Sequence, residues 1–300
     1  MRFLIFGAGA LGSLVGALLS RRNEVALVGR RDHVSTIEKE GLRISGLTEL
    51  LARPRVVREG ESIPDYDFVF LTVKSYDTMT AMEELSGLGA SCTFVTLQNG
   101  LGNLEIMDQF ADRIIGGTTS HGATLRGPGN VIHAGIGDTV IGNYKGVSRK
   151  TLELLAGELT TCGMITDVTG NLMGEIWAKA IANAGINPLT AIIGAKNGYL
   201  LRNPAIMRML EEVCSEAIRV ARACEIPLPK DDLVERTKKV ARITSENKSS
   251  MLQDVLRKKR TEVDSITGEI VRLAERKGVR VPTNSTLLAV MKGIEDSYTP

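Results

Sequence analysis

Residues 3–19, from Phe3 to Leu19, are uncharged and almost wholly apolar, with Arg2 before them and Arg21 and Arg22 behind. Read for hydropathy alone, such a stretch suggests a signal peptide or a short membrane helix. Its glycines divide it differently. Gly7, Gly9 and Gly12 separate a short apolar run, Phe3–Phe6, from a helical stretch, Leu11–Ser20. A strand, a tight turn and a helix account for that pattern better than one continuous span, and no other stretch is long enough to cross a bilayer. The turn, Gly7-Ala8-Gly9-Ala10-Leu11-Gly12, fits G-x-G-x-x-G between a predicted strand and a predicted helix, the context in which that motif binds a dinucleotide. Gly7 permits the tight turn. Gly9 lets the backbone approach a pyrophosphate, where a Cβ would clash. Gly12 lets helix and strand pack closely. The helix N-terminus adds free N–H groups and the positive end of its dipole. The competing reading is a glycine-rich loop with no ligand.

The end of the second strand chooses between NAD and NADP. An acidic residue there binds the ribose 2′-hydroxyl. This chain has Val28-Gly29-Arg30-Arg31, with no carboxylate before Asp32. Two guanidiniums suit the dianionic 2′-phosphate, which arginine grips in bidentate fashion. NADPH (NADP+) is therefore the expected cofactor; the alternative is a pair of solvated surface arginines.

Three hundred residues suggest about two domains. Up to Val168 the chain alternates strand and helix. Strands are predicted at Phe3–Phe6, Val25–Val28, Phe68–Val73, Thr93–Leu97, Ile114–Gly117, Val131–Ala134 and Thr139–Gly142, and helices at Leu11–Ser20, His33–Glu40, Asp77–Leu85 and Leu104–Phe110. That order implies a parallel sheet covered on both faces. Beyond Gly170 the strand signal nearly vanishes. Leu172–Ala184, Ala205–Cys224, Asp232–Glu246, Met251–Lys277 and Ser285–Asp296 carry helical periodicity between Asn and Pro breakers. The expected fold class is an α/β Rossmann-type domain over residues 1–169, followed by an all-α domain over 170–300. A net charge of +2 leaves no global basic field for nucleic acid or an anionic membrane. Four cysteines (Cys92, Cys162, Cys214, Cys224) lack metal spacing, and three histidines (His33, His121, His133) are too isolated for a zinc centre. No metal is expected, and reduced thiols fit a cytoplasmic compartment.

Two clusters in the second half carry polar chemistry. Lys179, Asn183 and Asn187 recur every four positions, so they lie along one stripe of a helix whose other face is apolar. Buried without partners, a lysine and two amides are costly, and a ligand is one such partner. The bland alternative is a snorkelling lysine and two capping amides. Pro188 disfavours helical dihedrals at Asn187 and predicts that Asn187 ends the helix. The second cluster is Ser249-Ser250-Met251-Leu252-Gln253-Asp254 with Arg260-Thr261-Glu262-Val263-Asp264. Ser250 with Gln253 fits a capping box. Ser250 and Glu262 are about 120° out of phase on a straight helix. They converge only if Ser250 starts the helix or the helix bends.

With these blocks quoted, the chain resembles the ketopantoate reductases, also called 2-dehydropantoate 2-reductases, over nearly its whole length. The resemblance rests on Gly7–Gly12, Val73-Lys74, Gln98-Asn99-Gly100, the Lys179, Asn183, Asn187-Pro188-Leu189-Thr190 helix, and the two late blocks. It implies a Rossmann domain and a helical domain with the active site between them, and NADPH-dependent reduction of 2-dehydropantoate to (R)-pantoate. It carries the family's catalytic lysine onto Lys179 and its glutamate onto Glu262. It carries substrate-binding positions onto Asn183, Asn187 and Ser250, with Asn99 beside them. Gly7, Ala8, Gly9, Ala10, Leu11, Gly12, Arg30, Arg31, Lys74, Asn99 and Glu262 fall on the cofactor side. A one-residue shortening at Arg22-Asn23 puts Arg30 rather than Arg31 in the family's arginine place, which leaves their division of labour open. The implied partner is a small 2-oxo acid, with no nucleic acid and no membrane, and apolar helices in the second domain are compatible with a homodimer. Alternatives are a reductase of another 2-oxo acid or an imine on the same plan, and a non-catalytic NADPH-binding sensor.

Overall fold

A computed structural model of the chain describes residues 1–58, 61, 65–88 and 92–298. Its contacts divide the chain into two compact units, Met1–Gln98 with Asn103–Leu172, and Asn99–Gly102 with Met173–Pro300.

The first unit is built on an eight-stranded sheet in the order β12-β11-β8-β7-β6-β1-β2-β5. Its strands are β1 (Arg2–Phe6), β2 (Glu24–Val28), β5 (Arg55–Val56), β6 (Phe68–Leu71), β7 (Thr93–Thr96), β8 (Ile114–Thr119), β11 (Thr139–Lys145) and β12 (Thr166–Val168). From β5 to β8 every pairing is parallel. The central strands are buried along their whole length, so they read as continuous apolar runs such as Phe68-Val69-Phe70-Leu71. The sheet departs from the fully parallel one expected: β11 pairs antiparallel with β8, and β12 then runs parallel to β11. Val131–Ala134 also lies elsewhere than expected. It is part of β10 (Asn130–Gly135) in a separate sheet, β4-β3-β10-β9, with β3 (Leu42–Gly46), β4 (Leu50–Ala52) and β9 (Gly122–Gly127). These additional strands are short, and β3, β9 and β10 carry glycine, with alternating burial at best. They offer little apolar run to read.

Helices α1 (Ala10–Leu19), α2 (Arg31–Glu40), α3 (Thr78–Glu84), α4 (Asn103–Met107) and α5 (Arg149–Thr161) complete this unit. A Cβ at Gly16 would stand 2.7 Å from Leu27, so the glycine brings α1 down onto the sheet. Phe3 and Phe68 stack beneath it at 5.5 Å between ring centroids. His33 ties the second sheet to α1, with Nε2 2.9 Å from Ser13 Oγ and Nδ1 accepting from the Gly129 N–H at 3.0 Å.

The second unit is helical: α6 (Leu172–Ile193), α7 (Pro204–Ala223), α8 (Leu233–Ile243), α9 (Ser250–Leu256), α10 (Glu269–Lys277) and α11 (Pro282–Asp296). Two expectations change here. α6 runs through Pro188, so Asn187 lies inside the helix, not at its end. Tertiary packing overrides the local bias. Gly185 lets Cys214 of α7 approach where a Cβ would meet its sulfur at 2.7 Å, and Thr190, one turn beyond, lies 2.7 Å from Ser249 Oγ. The single helix expected over Met251–Lys277 is broken. α9 stops at Leu256, Lys258 turns the chain with φ +51°, and a π-helical turn, Asp264–Gly268, leads into α10. Among the described residues no helix is long and apolar enough to cross a membrane.

Candidate active site

In a parallel sheet ligands gather at the carboxyl ends of the strands, where the chain order reverses. Here β1 lies between β2 and β6, and its end leads straight into Gly7. Gly7 has φ +109°, and a Cβ on it would stand 2.5 Å from the Val73 N. Gly12 is closed in too: its Cβ would lie 2.4 Å from both Gly7 O and Thr72 Oγ1. These two glycines are demanded by the protein's own packing. Gly9 is different. It is exposed, and the nearest atom to its Cβ position is 3.9 Å away, so no neighbour in the chain requires a glycine there. Gly9 is the N-cap of α1 and offers no side-chain cap to its first N–H groups. The exposed face over Gly9, Ala10 and Leu11 is therefore a cradle that a Cβ would fill and an anion would satisfy.

Beyond β2, Arg30 caps α2 with extended backbone, and Arg31 opens the helix. Both are exposed, and the first-turn carboxylate, Asp32, follows them on α2. Beyond β6, Lys74 precedes a 3₁₀ turn, Ser75–Asp77, and is partly buried. Gln98, after β7, donates to Val73 O at 2.8 Å and to Thr78 Oγ1 at 3.0 Å, which ties neighbouring strand ends together. Sequence reading passed over this structural amide because it stands beside Asn99 in the same quoted motif.

In the helical unit, Lys179, Asn183 and Asn187 share α6. Asn187 is buried, while Lys179 and Asn183 are partly so. Burial drives the lysine pKa down to about 8, and the Glu262 carboxylate opposes that fall. Glu262, 7% exposed, stands just ahead of the π-helical turn, whose Ile266 N–H donates to the Glu262 carbonyl at 3.1 Å. Leu101 N–H donates to Ser265 O at 2.8 Å, and Gly100, with φ +84°, packs on Ser265 where a Cβ would clash at 2.7 Å. The segment beginning at Asn99 thus sits beside the turn that follows Glu262. The expected capping box does not form, and the N-cap stands one residue earlier. Ser249, not Ser250, is the N-cap of α9 and accepts from Leu252 N–H at 3.1 Å, and Gln253 reaches back to Lys248 O at 3.1 Å. The serine doublet offered either choice to a sequence reading. Ser249 is buried and structural, which leaves the exposed Ser250 free of that duty.

Residues 3–146 match the family described as ketopantoate reductase PanE/ApbA, and residues 171–295 match its C-terminal domain. The chain belongs to the ketopantoate reductase family. The 2-dehydropantoate 2-reductase of Archaeoglobus fulgidus is 40% identical over 295 residues, 98% of each chain. That of Halobacterium salinarum is 38% identical over 299 residues, covering 97% of this chain and 98% of its own. Among solved structures, a PanE/ApbA family ketopantoate reductase from Ralstonia eutropha matches over the full length of both chains at 32% identity and TM-score 0.93. A D-mandelate dehydrogenase bound to NADH and anilino(oxo)acetate matches over both full lengths at 27% identity and TM-score 0.95. Ketopantoate reductases use NADPH, and the glycine cradle with its two following arginines suits that cofactor. Among the described residues no three or more His, Cys, Asp or Glu side chains gather as metal ligands.

Proposed function

We propose that this chain reduces 2-dehydropantoate to (R)-pantoate, with Lys179 and Glu262 as its catalytic residues. The observation that carries the reading is a lysine whose pKa burial draws down to about 8, with the Glu262 carboxylate within its electrostatic reach and opposing that fall, in one helical unit. Bound NADPH supplies a hydride. As the substrate's carbonyl carbon is reduced, its oxygen gains negative charge. The Lys179 ammonium stabilises that oxygen and gives it a proton, then recovers one from solvent. Glu262 accepts a hydrogen bond from the substrate's hydroxyl, and Ser250 donates to its carboxylate. Asn183 and Asn187 supply donors and acceptors without adding charge. Asn99 contacts cofactor and substrate, and Arg30, Arg31 and Lys74 meet the phosphates. Four free thiols accord with a cytoplasmic enzyme.

A second reading, reduction of another 2-oxo acid, draws on the likeness to D-mandelate dehydrogenase. Catalytic efficiencies decide between them. NADPH oxidation is measured with 2-dehydropantoate, with its analogue carrying a methyl in place of the hydroxymethyl, and with an aromatic 2-oxo acid. The proposal expects 2-dehydropantoate to dominate. It also expects Glu262→Ala to lose roughly 10- to 150-fold with 2-dehydropantoate, the scale of a lost hydrogen bond to a charged group, and much less with the analogue. Dominance of another oxo acid in the wild type would overturn the substrate assignment.

A further inference from the structure

Glu262 lies in a connection, not in a helix interior, so its aim depends on what holds that connection. The residue before it, Thr261, is fully buried. Its hydroxyl oxygen accepts from the Val263 N–H at 3.1 Å, a local turn that spans Glu262. Its own N–H is held from far away in the chain: Glu295, near the end of α11, accepts it at 2.6 Å through Oε1. The Glu295 side chain is only 8% exposed, and its other oxygen meets Lys292 Nζ at 3.1 Å. Lys292 also reaches Asp264, on the far side of Glu262, at 3.1 Å. The backbone just before Glu262 is thus clamped to α11 by a buried carboxylate, and the Asp264 side chain just beyond it meets the same, half-exposed, Lys292 ammonium. A short hydrogen bond from a backbone N–H to a carboxylate is among the stronger kinds.

We infer that Glu295 is a positioning residue for the reaction: by fixing the Thr261 N–H it sets the aim of Glu262 and so the enzyme's preference for a substrate carrying a hydroxyl. This rests on the reading of Glu262 given above. Glu295 itself touches neither substrate nor cofactor, and its effect passes wholly through the Thr261–Glu262 backbone.

Three variants test this against the efficiency ratio between 2-dehydropantoate and its methyl analogue. Glu295→Ala removes the acceptor. Glu295→Asp keeps the charge but withdraws the oxygen by one methylene. Glu295→Gln keeps an oxygen acceptor for Thr261 while losing the charge. The ratio is expected to fall about 10-fold or more in the alanine and aspartate variants, mainly through 2-dehydropantoate, and to recover most of its wild-type value in the glutamine variant. If the alanine variant does not fold, the aspartate and glutamine pair carries the test alone. A wild-type ratio in both shortened variants overturns the inference, as does an equal loss with both substrates, which marks a purely structural contact. Failure of the underlying reading looks different: wild type then shows no preference for the hydroxyl, or Glu262→Ala leaves that preference intact.

Discussion

At the scale of single residues, the three fingerprint glycines do different work. Gly12→Ala drives a Cβ to 2.4 Å from two oxygen atoms and should lower the melting temperature sharply. Gly9→Ala meets nothing closer than 3.9 Å and should melt like wild type, yet bind NADPH weakly by titration calorimetry. Unimpaired binding would remove Gly9 from the cofactor site. Arg30→Ala with Arg31→Ala should raise KM for NADPH far more than for NADH, and equal effects would mark both as solvated arginines. As the proposed proton donor, Lys179 should set a pH dependence. It is an ammonium below about 8 and loses its proton as pH rises through that value. The efficiency of reduction should therefore hold below about pH 8 and fall above it. Glu262 raises that pKa, so Glu262→Gln should move the alkaline limb to lower pH. A limb that stays put in this variant would separate the two groups.

At the scale of elements, α11 is held by a residue from α7. Glu216 is fully buried and accepts from the N–H groups of Thr283 and Asn284, each at 2.9 Å, and from Asn284 Nδ2 at 2.8 Å. A carboxylate at a helix start satisfies donors that have no partner within the helix and complements the dipole. Glu216→Ala should cost several kcal/mol, about 1.5–3 for each hydrogen bond to a charged group, offset in part by relaxation. Calorimetry should show the loss in the helical unit's transition, and an unchanged transition would mean that water replaces the carboxylate. Because α11 also carries Glu295, the same variant should weaken discrimination for the hydroxyl. Helices with strong periodicity and sharp breakers, such as α7 and α8, were legible in the sequence, though their N-caps, Asn203 and Asp232, were read as a breaker and as a first helical residue. α9 and α10 were not. Periodicity continues across Leu256 to Glu269, and the break is made by distant partners that no local window contains.

At the scale of the whole molecule, all three histidines are buried in the first unit. His133 Nε2 stands 3.0 Å from His121 Nδ1, and its Nδ1 is 2.9 Å from Thr48 Oγ1. Burial lowers the pKa of each below 6.5. As pH falls through 6.5 the unfolded chain takes up protons that the folded chain refuses, so stability present at neutral pH is lost on acidification. The first unit's melting temperature should drop by several degrees between pH 7 and pH 5, with His133→Gln flattening that slope. A midpoint independent of pH over this window would contradict neutral burial. The sequence by itself determined the Rossmann turn, the arginine pair after β2 and the stripe on α6. Each is a short-range pattern whose meaning lies within one turn of chain or one strand–turn–helix unit. Only the tertiary structure decided that α6 continues through Pro188, that Ser249 takes the cap, and that Glu262 stands at a clamped break. Those outcomes depend on contacts such as Thr190 with Ser249 and Thr261 with Glu295, 59 and 34 residues apart. Local periodicity carries no record of such partners, since their energy is gained only once the helices have packed.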